Sequence, residues 1–385
     1  MFGACALKSV FSVLAHAQFV WGYALPFKRA GEVRVQANGT TYVGNQADAQ
    51  DVFLGMIHHS SLAIHLTASY GGSFILGESQ SYPGYGIVEK SIELGQPVLY
   101  VSMNYRLGFF GFPVGEQTMN KGAANLGLYD QRMAIEWVQN NIQHFGGDPT
   151  KISGDDFLPS STSSIIESGK YANIPIISGS NLEEGTWFVA ATSTFLDLVE
   201  FLNTSLPGLA IGLPPSISSP MCALYPKVLA EGSPYNTGNE TFGRGDSYKW
   251  AASIVGDYLF TAPRRQFIRA VASRGQKVWS YMFSQPTAGA PPGYGISHTS
   301  EIAYVFGGLS SNATQESKDV SDKMMQYWIN FATTLNPRPD GSNLPAWPTY
   351  GTLKNMVQLR ADNYSALLDT FREPATDYIL NTILG

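Results

Sequence analysis

Polar and apolar residues alternate through Gly31–Gly44 (GEVRVQANGTTYVG) around the turn-forming pair Asn38-Gly39, the pattern of a β-hairpin. Further along, apolar residues come in short blocks that each run into a loop former. Leu62–Thr67 leads to the pair Gly71-Gly72, and Gln96–Phe112 (QPVLYVSMNYRLGFFGF) is a β-branched and aromatic block closed by Gly108 and Gly111. Ile174–Ser178 leads into an acidic turn, and KVWSYMFSQP and NMVQLRADN read as two later strands. Between these blocks the period lengthens. In Asn125–Phe145, Leu128, Met133, Ile135, Val138 and Ile142 lie near helical spacing, with Asp130 near the start and Gly146-Gly147 as the stop. Asp246–Ser273 and SDKMMQYWINFATTLNP read as further helices. Buried strands alternating with amphipathic helices predict an α/β fold whose central sheet is mostly parallel and flanked by helices. No repeat or linker divides the chain, so residues 25–385 are expected to form a single domain.

Composition narrows this picture. The chain has 385 residues, 44% of them hydrophobic and 14% charged, enough to bury a large core. A net charge of -6 opposes nucleic-acid binding, which needs a surplus of Lys and Arg. The abundance of glycine, proline and aromatic residues suits tight turns and an aromatic-lined cavity for a small organic ligand. Residues 1–17 read as a secretory signal peptide, with a second exit as late as Ala24; His16 and Gln18 interrupt the apolar run and make it a poor membrane span. Five N-x-[ST] sequons, at Asn38, Asn203, Asn239, Asn312 and Asn363, fit an exported glycoprotein. Of the two cysteines, Cys5 would leave with the signal and Cys222 would remain unpaired.

The chain carries no H-E-x-x-H and no paired cysteine spacing, and Gly293-Tyr294-Gly295 lacks the third glycine of a dinucleotide loop, so no metal or cofactor is expected. His58 and His59 fall in an irregular segment, His65 in a strand and His144 after a helix. Acyl transfer needs a nucleophile, a base, an acid that orients the base, and backbone donors for the oxyanion. The loop Tyr70-Gly71-Gly72-Ser73-Phe74 has the glycines that let N–H groups face inward. Glu184 follows a buried strand whose end can bring a carboxylate to the top of a sheet, whereas its neighbour Glu183 reads as a solvated turn residue. His298 comes later, on a Gly/Pro-rich loop after another strand.

The segments YGGSF, NYRLGFFGF, NLGLYDQRMAIEWVQNNIQHFGGDP, GSNLEEGTWF and SHTSEIAYVFG, with a final NFA…WPxY pattern, resemble in the same order the type-B carboxylesterase/lipase family, which includes cholinesterases. The resemblance implies an α/β-hydrolase fold, a carboxylic ester as the small-molecule substrate, and no cofactor. It implies Glu184 as the acid, His298 as the base, and the N–H groups of Gly72 and Ser73 as oxyanion donors.

One part of the family pattern is missing. The family places a G-E-S-A-G elbow shortly after the FGGDP turn, but here FGGDPTKIS runs at once into GDDFLPSSTSS, and G-x-S-x-G occurs nowhere in the chain. By this resemblance the elbow, its strand and its helix are deleted between Lys151 and Asp156, leaving the sheet incomplete around the nucleophile strand and two sheet edges exposed. A second deletion near DVFLGMIHHSS would have removed a disulfide loop. Gly77-Glu78-Ser79-Gln80-Ser81 is a poor substitute, with serine where the elbow needs its second glycine and with Pro83 and Gly84 where a helix should begin. The expectation is an exported ester hydrolase by family that is impaired or inactive as written. A non-catalytic binding protein of the same fold is the alternative, and an incomplete gene model the simplest origin of the gap.

Overall fold

A computed structural model of the chain describes residues 31–47, 50–53, 56–58, 64–113, 115–122, 124–149, 165–166, 168–169, 171–189, 213–286 and 289–384. The segment 1–24, Asn203 and the junction at Lys151–Asp156 lie outside these residues.

Two sheets form. The first has six strands in the order β1-β2-β3-β4-β6-β5: β1 Gly31–Ala37, β2 Thr40–Ala47, β3 Gln50–Phe53, β4 Met56–His58, β5 Ile64–Ser69 and β6 Val98–Met103. The second has four in the order β10-β9-β8-β7: β7 Ile176–Asn181, β8 Val278–Phe283, β9 Asn355–Leu359 and β10 Ser365–Leu368. The inner strands give the expected parallel core, β5 beside β6 and β7 beside β8 beside β9, with antiparallel strands outside it. Among the described residues no strand of one sheet pairs with a strand of the other, and β5 and β7 each end a sheet with one neighbour.

Local chemistry accounts for most of these elements. Asn38 and Gly39 both take positive φ, 49° and 79°, as the tight turn between β1 and β2 requires, and Ala37 pairs directly with Thr40. Helix α1 (Tyr85–Glu93) leads into β6, and α2 (Leu126–Asn141) follows it. The latter ends in a tighter turn, Ile142–Phe145, stopped by Gly146 in the left-handed region. Alternation along β6 sends Leu99 and Val101 against Val138, Ile142 and Phe145 on one face, and Val98 and Tyr100 against Ile87, Val88 and Ile329 on the other. In the second sheet, Val278 packs with Ile268 and Val271 of α5 (Ala262–Ser273), while Trp279 and Phe283 pack with Met324 and Tyr327 of α6 (Gln315–Thr334). Helices α3 (Pro215–Ala223), α4 (Tyr248–Gly256) and α7 (Glu373–Ile379) complete this layer, and Cys222 is buried and free within it.

Helix α6 also joins the two sheets. Its Thr333 hydroxyl donates to Gln96 Oε1 (2.7 Å), its Asp322 pairs with Lys90 of α1, and its Ile329 enters the cluster beneath β6.

Four details differ from the sequence reading. Strand β6 stops at Met103, because the chain turns there so that Tyr70 and Tyr105 can stack at 4.6 Å and Gly108 can adopt positive φ. His58 ends a short strand paired with Asp51; it is not in an irregular segment. On α2, Met133 is 65% exposed although it sits on the apolar stripe. The second sheet gains β10, which no apolar block announces, because Ser365–Leu368 pairs back on β9 through a short turn.

Candidate active site

Strand β7 ends in a tight turn that places two carboxylates side by side. The Asn181 N–H donates to Glu184 Oε1 (2.6 Å), and Glu184 Oε2 lies 2.7 Å from His298 Nδ1. A carboxylate only accepts, so Nδ1 carries the proton of this bond and Nε2 keeps a lone pair. Gly185 is fixed by packing: a Cβ there would meet Ala252 O of α4 at 2.0 Å and Gly256 N at 2.5 Å. The helix therefore presses directly on the turn and buries Glu184. Phe260 and Phe188 flank the imidazole, with ring centroids at 4.6 and 5.5 Å, while the His298 side chain keeps 36% of its surface open. An oriented imidazole with a free nitrogen and an aromatic surround can take a proton from a hydroxyl or water.

Glu183 is not the solvated turn residue expected from sequence. Only 3% exposed, it turns away from the imidazole, and its carboxylate accepts the N–H groups of Ile296 (2.6 Å) and Tyr235 (3.3 Å). Burial pushes its carboxyl up to about 7, against the opposing pull of those two N–H donors and of Arg372. A third carboxyl, Glu301, accepts from Asn181 Nδ2 (2.5 Å); burial, reinforced by the nearby Glu184 charge, raises it above the usual range despite that bond.

The loop after β5 belongs to the other sheet. Gly72, Ser73 and Phe74 all have positive φ, and a Cβ on Gly72 would fall 2.0 Å from Leu76 O, so the turn needs glycine there. Gly72 O accepts the N–H groups of Ile75 and Leu76, and among the described residues the N–H groups of Gly72 and Ser73 have no acceptor. Phe74 O accepts from the Gly108 N–H (2.7 Å), which ties this loop to the turn after β6. Ser79 lies in the turn Ser79–Ser81 with its N–H on Asn104 Oδ1 (2.9 Å), and no bond to a histidine involves its hydroxyl among the described residues.

The carboxylesterase family model matches residues 66–154 and 152–376, two segments that meet at the junction after the FGGDP turn. The chain belongs to the carboxylesterase family. Secreted triacylglycerol lipase LIP1 of Gibberella zeae is 26% identical, covering 80% of this chain and 70% of the lipase. That alignment runs over 427 residues, more than this carboxylesterase-family chain contains, so the lipase has residues with no counterpart here. Acetylcholinesterase of Bungarus fasciatus is 23% identical over 73% of this chain and 63% of its own length. The crystal structure of Aspergillus niger EstA superposes with a TM-score of 0.70 at 18% identity, covering 88% of this chain and 84% of that one, which shows the shared α/β fold.

The remaining sequence candidates of this family member lie apart from the His298 pair. Asn38, Asn239, Asn312 and Asn363 are exposed. His144 lies in the exposed turn after α2 and His65 in β5. Among the described residues no group of three His, Cys, Asp or Glu could hold a metal ion, and no helix is long and apolar enough to cross a membrane.

Proposed function

We propose that this chain is an exported carboxylic-ester hydrolase by family that keeps the acid–base and oxyanion elements of a serine esterase but lacks the serine. In this reading His298 Nε2 is the general base, Glu184 holds the imidazole tautomer, and the N–H groups of Gly72 and Ser73 receive the oxyanion. The observation that carries it is the 2.7 Å contact of His298 with the buried Glu184, in a chain without G-x-S-x-G. Without a hydroxyl beside Nε2, the only nucleophile left is water, and covalent catalysis is lost.

Two observations support a missing strand and helix over a rearranged site. Among the described residues β5 and β7 each lack an outer neighbour, and apolar side chains are exposed: Phe109 and Phe110 at 84% and 83%, Phe74 packed on Phe112 of the same turn, and Tyr129 and Met133 on α2. The expected outcome is that purified protein with a folded circular-dichroism spectrum neither hydrolyses a short activated ester above background nor labels with a serine-directed phosphonate. Labelling of any serine would overturn the proposal. Sequencing the transcript across Ser153-Gly154 then decides the origin of the gap: extra coding sequence with G-x-S-x-G marks an incomplete gene model, and an uninterrupted junction marks a truly deleted protein. Export is read from the apolar segment 1–17, supported by the name of the Gibberella relative, and glycan occupancy of the four exposed sequons would test it.

A further inference from the structure

We propose that Glu183 is the positioning residue of the His298 loop, a buried carboxylate clamp that sets where the imidazole sits by holding the backbone of residues 293–298. The proposal rests on the reading of His298 as the base. Neighbouring residues at the end of β7 divide the work: Glu184 meets the ring, and Glu183 meets the main chain that carries it. Glu183 Oε2 accepts the Ile296 N–H at 2.6 Å, its own N–H donates to Ile296 O at 3.1 Å, and Glu183 bridges Ser297, the residue before His298, in parallel register. The same side chain reaches a second loop through the Tyr235 N–H. That loop is tied to α4 by Ser233 N–H to Ser253 Oγ (3.1 Å) and by Lys249 Nζ to Thr237 Oγ1 and Gly238 O (both 2.8 Å).

The loop is shaped to admit this carboxylate. Gly295 has φ +59°, and a Cβ there would come within 3.0 Å of Glu183 Oε2, so a side chain at this position would push the loop off its anchor. The other loop ties hold carbonyls: Tyr248 Oη donates to Gly293 O (2.9 Å) and Thr186 Oγ1 to Tyr294 O (2.8 Å). Glu183 takes the Ile296 N–H, two residues before the histidine. The charged and polar groups around it are the Arg372 guanidinium, held on Asp257 and stacked over Tyr235, together with Tyr235 itself. Arg372 spends its hydrogen bonds on Asp257 (2.6 and 2.7 Å), which leaves Glu183 to the backbone donors.

The test uses the full chain and needs no hydrolysis. Nuclear magnetic resonance follows the exchange of the Ile296 amide and the downfield proton of the His298 Nδ1–Glu184 bond. Glu183→Leu keeps the bulk and removes both acceptors; Glu183→Gln keeps an acceptor oxygen; Gly295→Ala presses a Cβ against the carboxylate from the loop side and leaves both acceptors in place. Expected for Glu183→Leu and Gly295→Ala is Ile296 exchange faster by roughly ten- to hundredfold with loss of the His298 proton signal, while the amides of β8 stay protected. Glu183→Gln is expected to keep both signals. Retention of the His298 signal in Glu183→Leu or in Gly295→Ala would sink the clamp, as would a Gln variant that loses it with β8 intact. If Glu183→Leu exposes β8 as well, Gly295→Ala decides, since it adds one methyl group between loop and clamp and leaves the Glu183 side chain unchanged. Failure of the esterase reading shows elsewhere, as absence of hydrolysis once an elbow is restored, and leaves these signals unchanged.

Discussion

The turn after β7 and the loop after β5 both leave a parallel strand at the end of its sheet, yet they are finished to different degrees. Around Glu184 both carboxylate oxygens are engaged, the neighbouring carboxylate is clamped, and α4 presses on Gly185. Around Ser73 the free N–H groups have no acceptor, and Phe74, Ile75 and Leu76 are all more than 40% exposed. The Glu184–His298 pair is built from contacts within its own sheet and its covering helices. The loop proposed to hold the oxyanion takes its positive φ values from its own sequence and from the turn after β6, and its outer surface is open where the proposal places a missing neighbour.

Restoring that neighbour is the largest expected effect. Inserting a strand–elbow–helix segment that carries G-x-S-x-G between Ser153 and Gly154 should raise hydrolysis of a short activated ester on the order of ten-thousandfold over the present chain, read as initial rates. If the rate stays at background although the insert folds, the two regions are not halves of one site.

Stability should be concentrated on the finished side. Asp369 is fully buried and accepts from Arg264 (2.8 Å), Arg265 (2.9 Å) and Tyr350 (3.0 Å). Asp369→Ala would strand two buried guanidinium groups and cost about 3–5 kcal/mol in denaturant unfolding. These cations hold the Asp369 carboxyl below the usual range against its burial, so its stabilisation is present above the ordinary carboxylate pKa and disappears as pH falls through the lowered one. A loss below 1 kcal/mol would show that this cluster is not what secures the second sheet.

Glu183 should give a slope of the opposite sign. Its carboxyl stands near 7 in the folded chain against an ordinary 4.5. Between those values the folded chain keeps a proton that the unfolded chain releases. The contribution is therefore complete below 4.5 and declines as pH rises through 7, by roughly 3 kcal/mol in all. Unfolding midpoints measured from pH 4 to 8 should flatten in Glu183→Gln; parallel curves for the two proteins would count against a buried, protonated Glu183.

The smallest effects belong to the unfinished surface. Phe110→Ser and Met133→Lys should change stability by less than about 0.5 kcal/mol, whereas Leu99→Ala in the core between β6 and α2 should cost about 2–5 kcal/mol. In a chain with the elbow restored, the two surface substitutions should become costly, which sharpens the contrast between a covered and an uncovered face.

Sequence exposed the features that are decided locally. Asn38-Gly39 specifies its turn by the φ each residue tolerates, and α2 carries its own stop at Gly146. The pairing of Glu184 with His298 was legible from the order of motifs, because each motif ends a strand in the same layer. Glu183 was misread because adjacent carboxylates look alike in one dimension; only the return of residues 293–297 shows that one of them faces a backbone. The exposure of Met133 was hidden for the complementary reason. Its spacing fits an apolar face, and spacing alone does not show that no described residue covers that side chain.

The unpaired edges of β5 and β7 have one consequence outside the molecule. The outer-edge backbone groups of these two six-residue strands have no strand partner among the described residues and so form a template that another polypeptide can fill. An open edge therefore predicts self-association that rises with protein concentration, read by sedimentation.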